Sequence, residues 1–185
     1  MSGVRKKIDD LIDSRKTVID IGCGTGELVF RLAKKSINVL GIDTNTEMIK
    51  YAREKGKRLK IQNIEFKKID AVDIDQIISK KSFDYAIFSM FFHQLNSGEA
   101  NRILKTVLRI MKFIIIADYN NPLPENIAGQ GVRLIERMAG GEHYLNFKQY
   151  QEYSGLNYFF NLYNLLVLES DIGGLDTIKI VKVST

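Results

Sequence analysis

One stretch near the start of the chain, a run of β-branched residues followed by three alternating glycines, constrains the fold more than any other feature. Residues 17–21 read Thr-Val-Ile-Asp-Ile, which is typical of a buried parallel strand. Glycines occupy positions 22, 24 and 26, and apolar residues then recur at helical spacing over 27–35. The pattern predicts a strand, a tight turn and a helix, with glycines that permit positive φ angles and the close approach of a ligand. The free N–H groups at the start of such a helix suit a carboxylate or a phosphate.

The acidic residues around this turn argue against a dinucleotide ligand. A dinucleotide fingerprint has glycines at its first, third and sixth positions, but the sixth position counted from Gly22 is Glu27, which would repel a pyrophosphate. The observed pattern, Asp20-x-Gly22-x-Gly24-x-Gly26, resembles motif I of the Rossmann-like (class I) S-adenosylmethionine-dependent methyltransferases. The cofactor of that family carries no phosphate, and the family's acidic position near the methionyl amino group matches Asp20. A tight turn that binds no ligand is the alternative for a glycine motif taken alone.

Two further acidic residues follow predicted strands. Asp43 ends a strand over 38–43 and lies 21 residues after Gly22, where a carboxylate can accept hydrogen bonds from both ribose hydroxyls. In the resembling family, an acid at the place of Asp70 accepts a hydrogen bond from the adenine amino group and has a small residue beside it. An ordinary acid at a strand end is the alternative for both. The resemblance implies S-adenosylmethionine as the cofactor and a cofactor site of Asp20, Gly22, Cys23, Gly24, Gly26, Asp43, Thr44, Met48, Asp70, Ala71 and Ser89.

The order of strand and helix patterns predicts the fold class. A short amphipathic helix over 2–13 comes first, and strands then alternate with helices up to residue 118, which predicts an α/β fold with a doubly wound, mostly parallel sheet and helices on both faces. Apolar runs over 165–170 and 177–183 flank a glycine turn and predict a hairpin. The resemblance implies that this sheet has seven strands with an antiparallel C-terminal strand, in a single methyltransferase domain over 1–185.

The segment 119–164 interrupts the alternation of strands and helices. It contains two predicted helices, one over 125–138 and one that follows the stretch 142–147 and ends at about Ser154, and an unusual density of aromatic and polar residues. Its place after the fifth strand puts it over the carboxyl edge of the sheet, so we expect an insertion or lid on the substrate side. From it we select Tyr119, Arg133 and Tyr144 as substrate-binding candidates. A pair of amphipathic helices packed on the sheet is the alternative.

The chain has two histidines, His93 and His143, and both fall on the expected substrate side. Each is a candidate general base, which methyl transfer needs only when the acceptor must lose a proton. A packing or hydrogen-bonded role is the alternative for His93. The strand over 83–89 and the apolar segment after it resemble motif IV of the family members that act on small molecules. No Asn/Asp-Pro-Pro-aromatic sequence and no cysteine nucleophile accompanies it, which argues against a nucleic-acid base as the acceptor.

The composition of the chain argues against several kinds of site and partner. The single cysteine, Cys23, excludes a multi-cysteine metal site, and we expect no metal. The formal net charge is +5, but the lysines are spread along the chain and their densest cluster, 55–60, ends a helix, so a nucleic-acid partner is not expected. No membrane-spanning run occurs and residues 1–13 are charged, which predicts a cytoplasmic location.

Three functions fit these observations. The favoured one is an S-adenosylmethionine-dependent methyltransferase that acts on a small molecule. The alternatives are an RNA or protein methyltransferase and a non-catalytic S-adenosylmethionine-binding protein. The methyl acceptor, the atom that is methylated and the oligomeric state are left open by the sequence.

Overall fold

Strands and helices alternate as far as residue 119 in a computed structural model that describes residues 1–76, 78 and 83–184. The strands are β1 (Thr17–Ile21), β2 (Asn38–Asp43), β3 (Ile64–Lys68), β4 (Tyr85–Ser89), β5 (Phe113–Tyr119), β6 (Leu166–Gly173) and β7 (Ile178–Ser184). The α-helices are α1 (Ser2–Asp10), α2 (Glu27–Leu32), α3 (Thr46–Arg58), α4 (Ser97–Ile110), α5 (Ile127–Ala139), α6 (Gly141–Glu152) and α7 (Leu156–Tyr163). Two 3-10 helices cover Ala71–Gln76 and Phe92–Gln94.

The strands form one sheet with the order β3-β2-β1-β4-β5-β7-β6 in the part of the chain that the structure describes. The neighbours among β1 to β5 all pair in parallel, while β7 pairs antiparallel with both β5 and β6. The predicted seven-stranded, mostly parallel α/β sheet with an antiparallel C-terminal strand is therefore confirmed. The strand order reverses between β1 and β4, and open α/β sheets bind ligands in the crevice at such a point.

The central strands are buried because nearly all their side chains are apolar. Ile114, Ile115 and Ile116 of β5 have no exposed surface, as expected for a strand that is covered on both faces. Asp20 of β1 and Asp118 of β5 are exceptions, with 2% and 0% of their surface exposed. A buried carboxylate is costly unless it is paired or hydrogen-bonded, so both positions are candidates for function.

Asparagine side chains cap the N-termini of three helices. Asn45, Asn96 and Asn126 accept hydrogen bonds from backbone N–H groups in the first turns of α3, α4 and α5. The cap of α4 is Asn96 and not the serine that follows it, although serine is also a preferred cap residue. Asn96 accepts from Glu99 N at 3.0 Å, and Ser97 is the first residue of α4. Asparagine one position earlier satisfies the same free N–H groups that serine would have satisfied.

Three helices, not two, occupy the region between β5 and β6. Gly140 and Gly141 have φ angles of 67° and 54° and separate α5 from α6. No residue pattern predicted α7, because its eight residues are mostly apolar and too few to display a helical period. A short helix expected over 73–79 lies partly outside the described residues, and the 3-10 helix Ala71–Gln76 stands at its start. Among the residues that the structure describes, no helix combines the length and the apolar character that crossing a membrane requires.

Candidate functional site

A cavity of about 940 Å³ opens at the carboxyl ends of the parallel strands, where the strand order reverses. We call it the switch-point cavity. Its volume is in the range of small-molecule and cofactor sites. Its lining consists of Ile21, Gly22, Gly24, Ile42, Asp43, Thr44, Asn45, Met48, Ile69, Asp70, Ala71, Val72, Met90, Phe91, Gln94, Leu95, Asn96, Gly98, Glu99, Arg102 and Ile103.

The glycine turn forms one wall of this cavity and depends on its glycines. Gly22 and Gly24 have φ angles of +76° and +52°, which other residues rarely adopt. A Cβ atom on Gly22 would lie 2.6 Å from the Phe91 ring, whereas the space beside Gly24 is open. Substitution at Gly22 would therefore displace Phe91, while Gly24 leaves the backbone accessible to a ligand.

Asp43 supports the turn from the neighbouring strand and lines the cavity. Its Oδ2 atom accepts a hydrogen bond from Gly24 N at 2.8 Å, and its Oδ1 atom accepts one from Asn45 N at 2.8 Å. Each carboxylate oxygen has a further lone pair, so both remain available to hydroxyl donors. Asp43 thus fixes the backbone of the glycine turn and offers two acceptors to the cavity.

Asp20 is a buried carboxyl group that is not fully satisfied. It precedes the cavity-lining residues Ile21 and Gly22, and its Oδ1 atom has no hydrogen-bond partner among the described residues. Burial, reinforced by the negative charge of Asp43, raises the pKa of Asp20 to about 7. Buried acceptors are normally hydrogen-bonded, so the unpaired Oδ1 atom indicates that a donor is supplied by a ligand. A cationic amino group would donate a hydrogen bond to this atom and neutralise the carboxylate charge.

The structure separates the eleven predicted cofactor residues into two groups. Those that line the cavity are Gly22, Gly24, Asp43, Thr44, Met48, Asp70 and Ala71. Those that do not line it are Asp20, Cys23, Gly26 and Ser89. Cys23 turns its sulfur toward β2, where a Cβ atom on Gly41 would lie 2.9 Å from it, and burial raises the pKa of the thiol. Direct contacts of these residues with a cofactor stay predictions.

A polar part of the cavity lining was not identified from the sequence. Gln94, Asn96, Glu99 and Arg102 bring polar groups to it from the 3-10 helix after β4 and from the start of α4. Gln94 Nε2 donates to Met90 O at 2.6 Å, which closes the turn. The available signal was the position of these polar residues shortly after β4, because the carboxyl ends of β1 and β4 flank the crevice.

A second polar site, the histidine cluster, lies between β5 and the helices that follow it. It consists of His93, Asp118, Tyr119, Glu136 and His143. The Nδ1 atom of His93 lies 2.6 Å from Asp118 Oδ1. Burial disfavours the charged imidazole, but the neighbouring carboxylates of Asp118 and Glu136 outweigh it and raise the pKa of His93.

Glu136 connects the two histidines. Its Oε1 atom accepts a hydrogen bond from the Tyr119 hydroxyl at 2.7 Å, and its Oε2 atom lies 2.6 Å from His143 Nε2. The carboxyl group is buried, with 4% of the residue exposed. Burial and the hydrogen bond to Glu136 raise the pKa of Tyr119. Neither Asp118 nor Glu136 was selected from the sequence, although an acid in the otherwise apolar strand β5 was a signal for the first of them.

The predicted catalytic and substrate residues do not face the switch-point cavity. His93, His143, Tyr119, Arg133 and Tyr144 are all absent from the described lining. The structure brings the two histidines and Tyr119 together in the histidine cluster. The Arg133 guanidinium donates to the carbonyl oxygens of Leu123 and Pro124, at 3.2 and 3.3 Å, and so braces the loop before α5. Tyr144 is half-buried and stacks on Phe147 with ring centroids 6.5 Å apart.

The sequence and the fold are similar to those of methyltransferases. A family model described as "Methyltransferase domain" matches residues 12–153. Demethylmenaquinone methyltransferase of Lactobacillus johnsonii is 35% identical over 98 residues, which cover 51% of this chain and 38% of that protein. The ubiquinone/menaquinone biosynthesis C-methyltransferase of Rickettsia massiliae is 30% identical over 102 residues, covering 51% and 40% respectively. The chain thus spans about two fifths of the length of these curated relatives.

Solved structures share the whole architecture. A SAM-dependent methyltransferase from Aquifex aeolicus superposes with a TM-score of 0.71 at 20% identity, covering 97% of this chain and 88% of that one. Magnesium protoporphyrin IX methyltransferase from Synechocystis superposes with a TM-score of 0.66 at 16% identity, covering 99% and 80%. At these identities the likeness shows the fold.

Proposed function

Because the chain belongs to the methyltransferase-domain family, we propose that it binds S-adenosylmethionine in the switch-point cavity and transfers the methyl group to a small organic acceptor. The observation that carries the proposal is the orphaned, buried carboxyl of Asp20 beside a glycine turn that Asp43 holds open to the cavity. Both groups suit a ligand with a cationic amino end and a ribose. They do not suit a pyrophosphate, because the carboxylates would repel it.

Three acids are assigned to three parts of the cofactor. Asp20 takes the methionyl amino group, Asp43 takes the ribose hydroxyls, and Asp70 with Ala71 beside it takes the adenine end. Asp43, Asp70 and Ala71 line the cavity, and Asp70 is held by a hydrogen bond from Val72 N to its Oδ1 atom at 3.0 Å. When it is bound, S-adenosylmethionine supplies a methyl group that is already activated by its sulfonium.

The size and chemistry of the cavity support a compact acceptor. A cavity of about 940 Å³ is near the upper end of the range for single ligands, so a cofactor leaves room for only a small partner. Part of the cavity lining is not assigned to the cofactor. It combines the apolar Phe91 and Leu95 with the polar Gln94, Asn96 and Arg102. Such a wall suits a small molecule with an apolar ring and a polar substituent. The names of the curated relatives point to quinone biosynthesis, which is compatible with this class.

Methyl transfer in this site depends mainly on alignment. The leaving group is activated in advance, so holding the acceptor in line with the methyl group can account for much of the rate. Neither histidine lines the cavity, and His93 is hydrogen-bonded to Asp118. The general-base role of His93 and His143 therefore stays a prediction, and the proposed mechanism does not require it.

We assign the segment 119–164 to the acceptor side of a single domain. Helix α6 packs against the 3-10 helix that carries Gln94, and Asn146 Nδ2 donates to Gln94 O at 2.8 Å. Gln149 Oε1 accepts from Ser97 N at 3.4 Å, next to the start of α4. Through these contacts α6 holds the wall that we assign to the acceptor, although its own side chains do not line the described cavity.

The proposal is tested by binding and by product analysis. Calorimetry is expected to show S-adenosylmethionine and S-adenosylhomocysteine binding at one site per chain, and no binding of NAD. The protein is then incubated with methyl-labelled cofactor and with quinols, other small phenols, bulk RNA and a protein mixture in separate reactions. Label in a small molecule supports the proposal, whereas label confined to RNA or protein, or tight NAD binding, overturns it. Cofactor binding without any transfer would favour a non-catalytic binding protein.

A further inference from the structure

The histidine cluster lies outside the proposed methyl-transfer cavity and has the geometry of a metal site. We propose that His93, Glu136 and His143 bind one divalent transition-metal ion of the zinc class. One ligand atom from each of these residues lies within 4.8 Å of the other two. No metal was expected from the single cysteine of the chain, whereas this site is built from histidine and glutamate. The proposal does not depend on the proposed function.

His93 is oriented for coordination by Asp118. The Asp118 carboxylate is fully buried, and its Oδ2 atom accepts hydrogen bonds from the backbone N–H groups of Phe91, Phe92 and His93. Its Oδ1 atom lies 2.6 Å from His93 Nδ1, so the proton of the neutral imidazole belongs on Nδ1. The lone pair is then on Nε2, which faces Glu136. Metal-binding histidines are commonly held by a carboxylate in this way.

The distances within the cluster are close to those of ligands around one ion. His93 Nε2 lies 3.9 Å from Glu136 Oε1, which is too long for a hydrogen bond. Zinc bonds of about 2.0–2.2 Å place two ligand atoms about 3.3 Å apart at a tetrahedral angle and about 4.2 Å apart when they are opposed. His143 Nε2 lies 2.6 Å from Glu136 Oε2, so this pair must separate by less than about 1 Å.

The donor set identifies the class of ion. Two imidazole nitrogens and one carboxylate suit zinc and similar transition metals, whereas magnesium and calcium prefer oxygen ligands. Three protein ligands leave a fourth position for water or for the Tyr119 hydroxyl, which is already 2.7 Å from Glu136. His143 exposes 33% of its side chain, so an ion can reach the cluster from that side.

The ion would connect three separate elements. His93 belongs to the 3-10 helix Phe92–Gln94, Glu136 to α5 and His143 to α6. It would also compensate the charge of Glu136, a buried carboxylate that is costly without a cationic partner. Without an ion, the same residues form a hydrogen-bonded network in which Glu136 joins His143 to Tyr119. Metal titration separates the two arrangements.

The test uses the full chain without a histidine tag, after dialysis against a chelator. Zinc is titrated by calorimetry, and cobalt is titrated with its visible spectrum recorded. We expect one ion per chain and a cobalt spectrum of low coordination number without a thiolate charge-transfer band. His143→Ala and Glu136→Gln are each expected to weaken zinc binding at least about tenfold. Glu142→Gln, an exposed neighbour of His143 on α6, is the matched control and is expected to bind zinc normally.

Far-ultraviolet circular dichroism is measured on every variant as a check that it is folded, and S-adenosylhomocysteine binding is measured separately. The proposal is overturned if the unmodified chain binds no zinc, or if magnesium competes at equal concentration. It is also overturned if folded His143→Ala and Glu136→Gln variants retain the affinity, since the ion must then lie elsewhere. A chain that binds S-adenosylhomocysteine but no zinc would overturn the metal site alone. A chain that binds zinc at this cluster but no S-adenosylhomocysteine would overturn the proposed function alone.

Discussion

At the scale of single residues, the buried carboxyl of Asp20 is expected to lower the stability of the ligand-free protein at neutral pH. Its carboxyl is buried on a central strand and one oxygen has no partner, so folding disfavours the ionised form. The pKa is raised from 3.8 to about 7. The contribution of Asp20 to the free energy of unfolding is therefore most favourable below about pH 4, where the carboxyl is protonated in both states. This contribution is lost as the pH rises through about 7.

Asp20→Asn is expected to change the pH dependence of stability in a defined direction. A pKa difference of about three units corresponds to roughly 4 kcal/mol, so the variant should gain up to that amount relative to the unmodified chain between pH 4 and pH 8. The effect of the amide itself is independent of pH and cancels in this comparison. Urea unfolding of both ligand-free proteins at a series of pH values measures the difference. A constant difference across the series would show that Asp20 titrates normally.

Asp43→Ala is expected to weaken S-adenosylhomocysteine binding at least about tenfold, because a hydrogen bond to a charged group is worth about 1.5–3 kcal/mol. The variant also removes the bonds from Gly24 N and Asn45 N, so a lower affinity alone does not identify the ribose contact. The binding of a 2′-deoxy analogue of S-adenosylhomocysteine tests the ribose contact directly. The unmodified chain should bind it more weakly than S-adenosylhomocysteine, and Asp43→Ala should bind the two alike. Glu47→Ala, at an exposed position on α3, is the control.

At the scale of elements, the local sequence predicted most of the structure but not how side chains meet. The β1 strand, its glycine turn and the C-terminal hairpin follow from residue patterns that act over a few positions. Asp43 was found because a fixed spacing along the chain places it at the edge of the adjacent strand. That Asp118 and Glu136 both approach His93 was not predictable, since it depends on how α5 packs near the end of β5. His93 and Gln94 are neighbours within one 3-10 helix but face different sites, and this short helix has no sequence signature.

The contact between α6 and the cavity wall gives a prediction about the acceptor. Asn146→Ala removes the hydrogen bond to Gln94 O, which should loosen the wall and raise the KM for the acceptor severalfold. Cofactor affinity should change little, because Asn146 does not line the described cavity. Steady-state kinetics with a product-verified acceptor, together with calorimetry, measures both quantities. Glu152→Ala, at an exposed position of the same helix, is the control, and an equal effect of both variants would refute a specific role for Asn146.

At the scale of the whole molecule, the helices after β5 share their core with the sheet. Phe159 of α7 packs against Phe92 with ring centroids 5.3 Å apart, and both belong to one continuous group of buried apolar residues. Tyr150 of α6 is also buried, and its hydroxyl donates to Tyr119 O at 2.8 Å. These contacts argue that the segment 119–164 folds together with the methyltransferase domain, since it has no separate core of its own in the described residues.

One cooperative unfolding transition is therefore expected for the full chain, with secondary-structure and aromatic signals changing at the same temperature. S-adenosylhomocysteine at about 100 times its Kd should stabilise the folded state by about 2.7 kcal/mol. For a chain of this size, that stabilisation raises Tm by roughly 5–11 °C in both signals together. Circular dichroism in the far and near ultraviolet measures the two signals on one sample. A first step that loses the signals of the tyrosines in 119–164 and is insensitive to the ligand would show that this segment unfolds independently of the sheet. It would then be a separate unit and not a support of the acceptor wall.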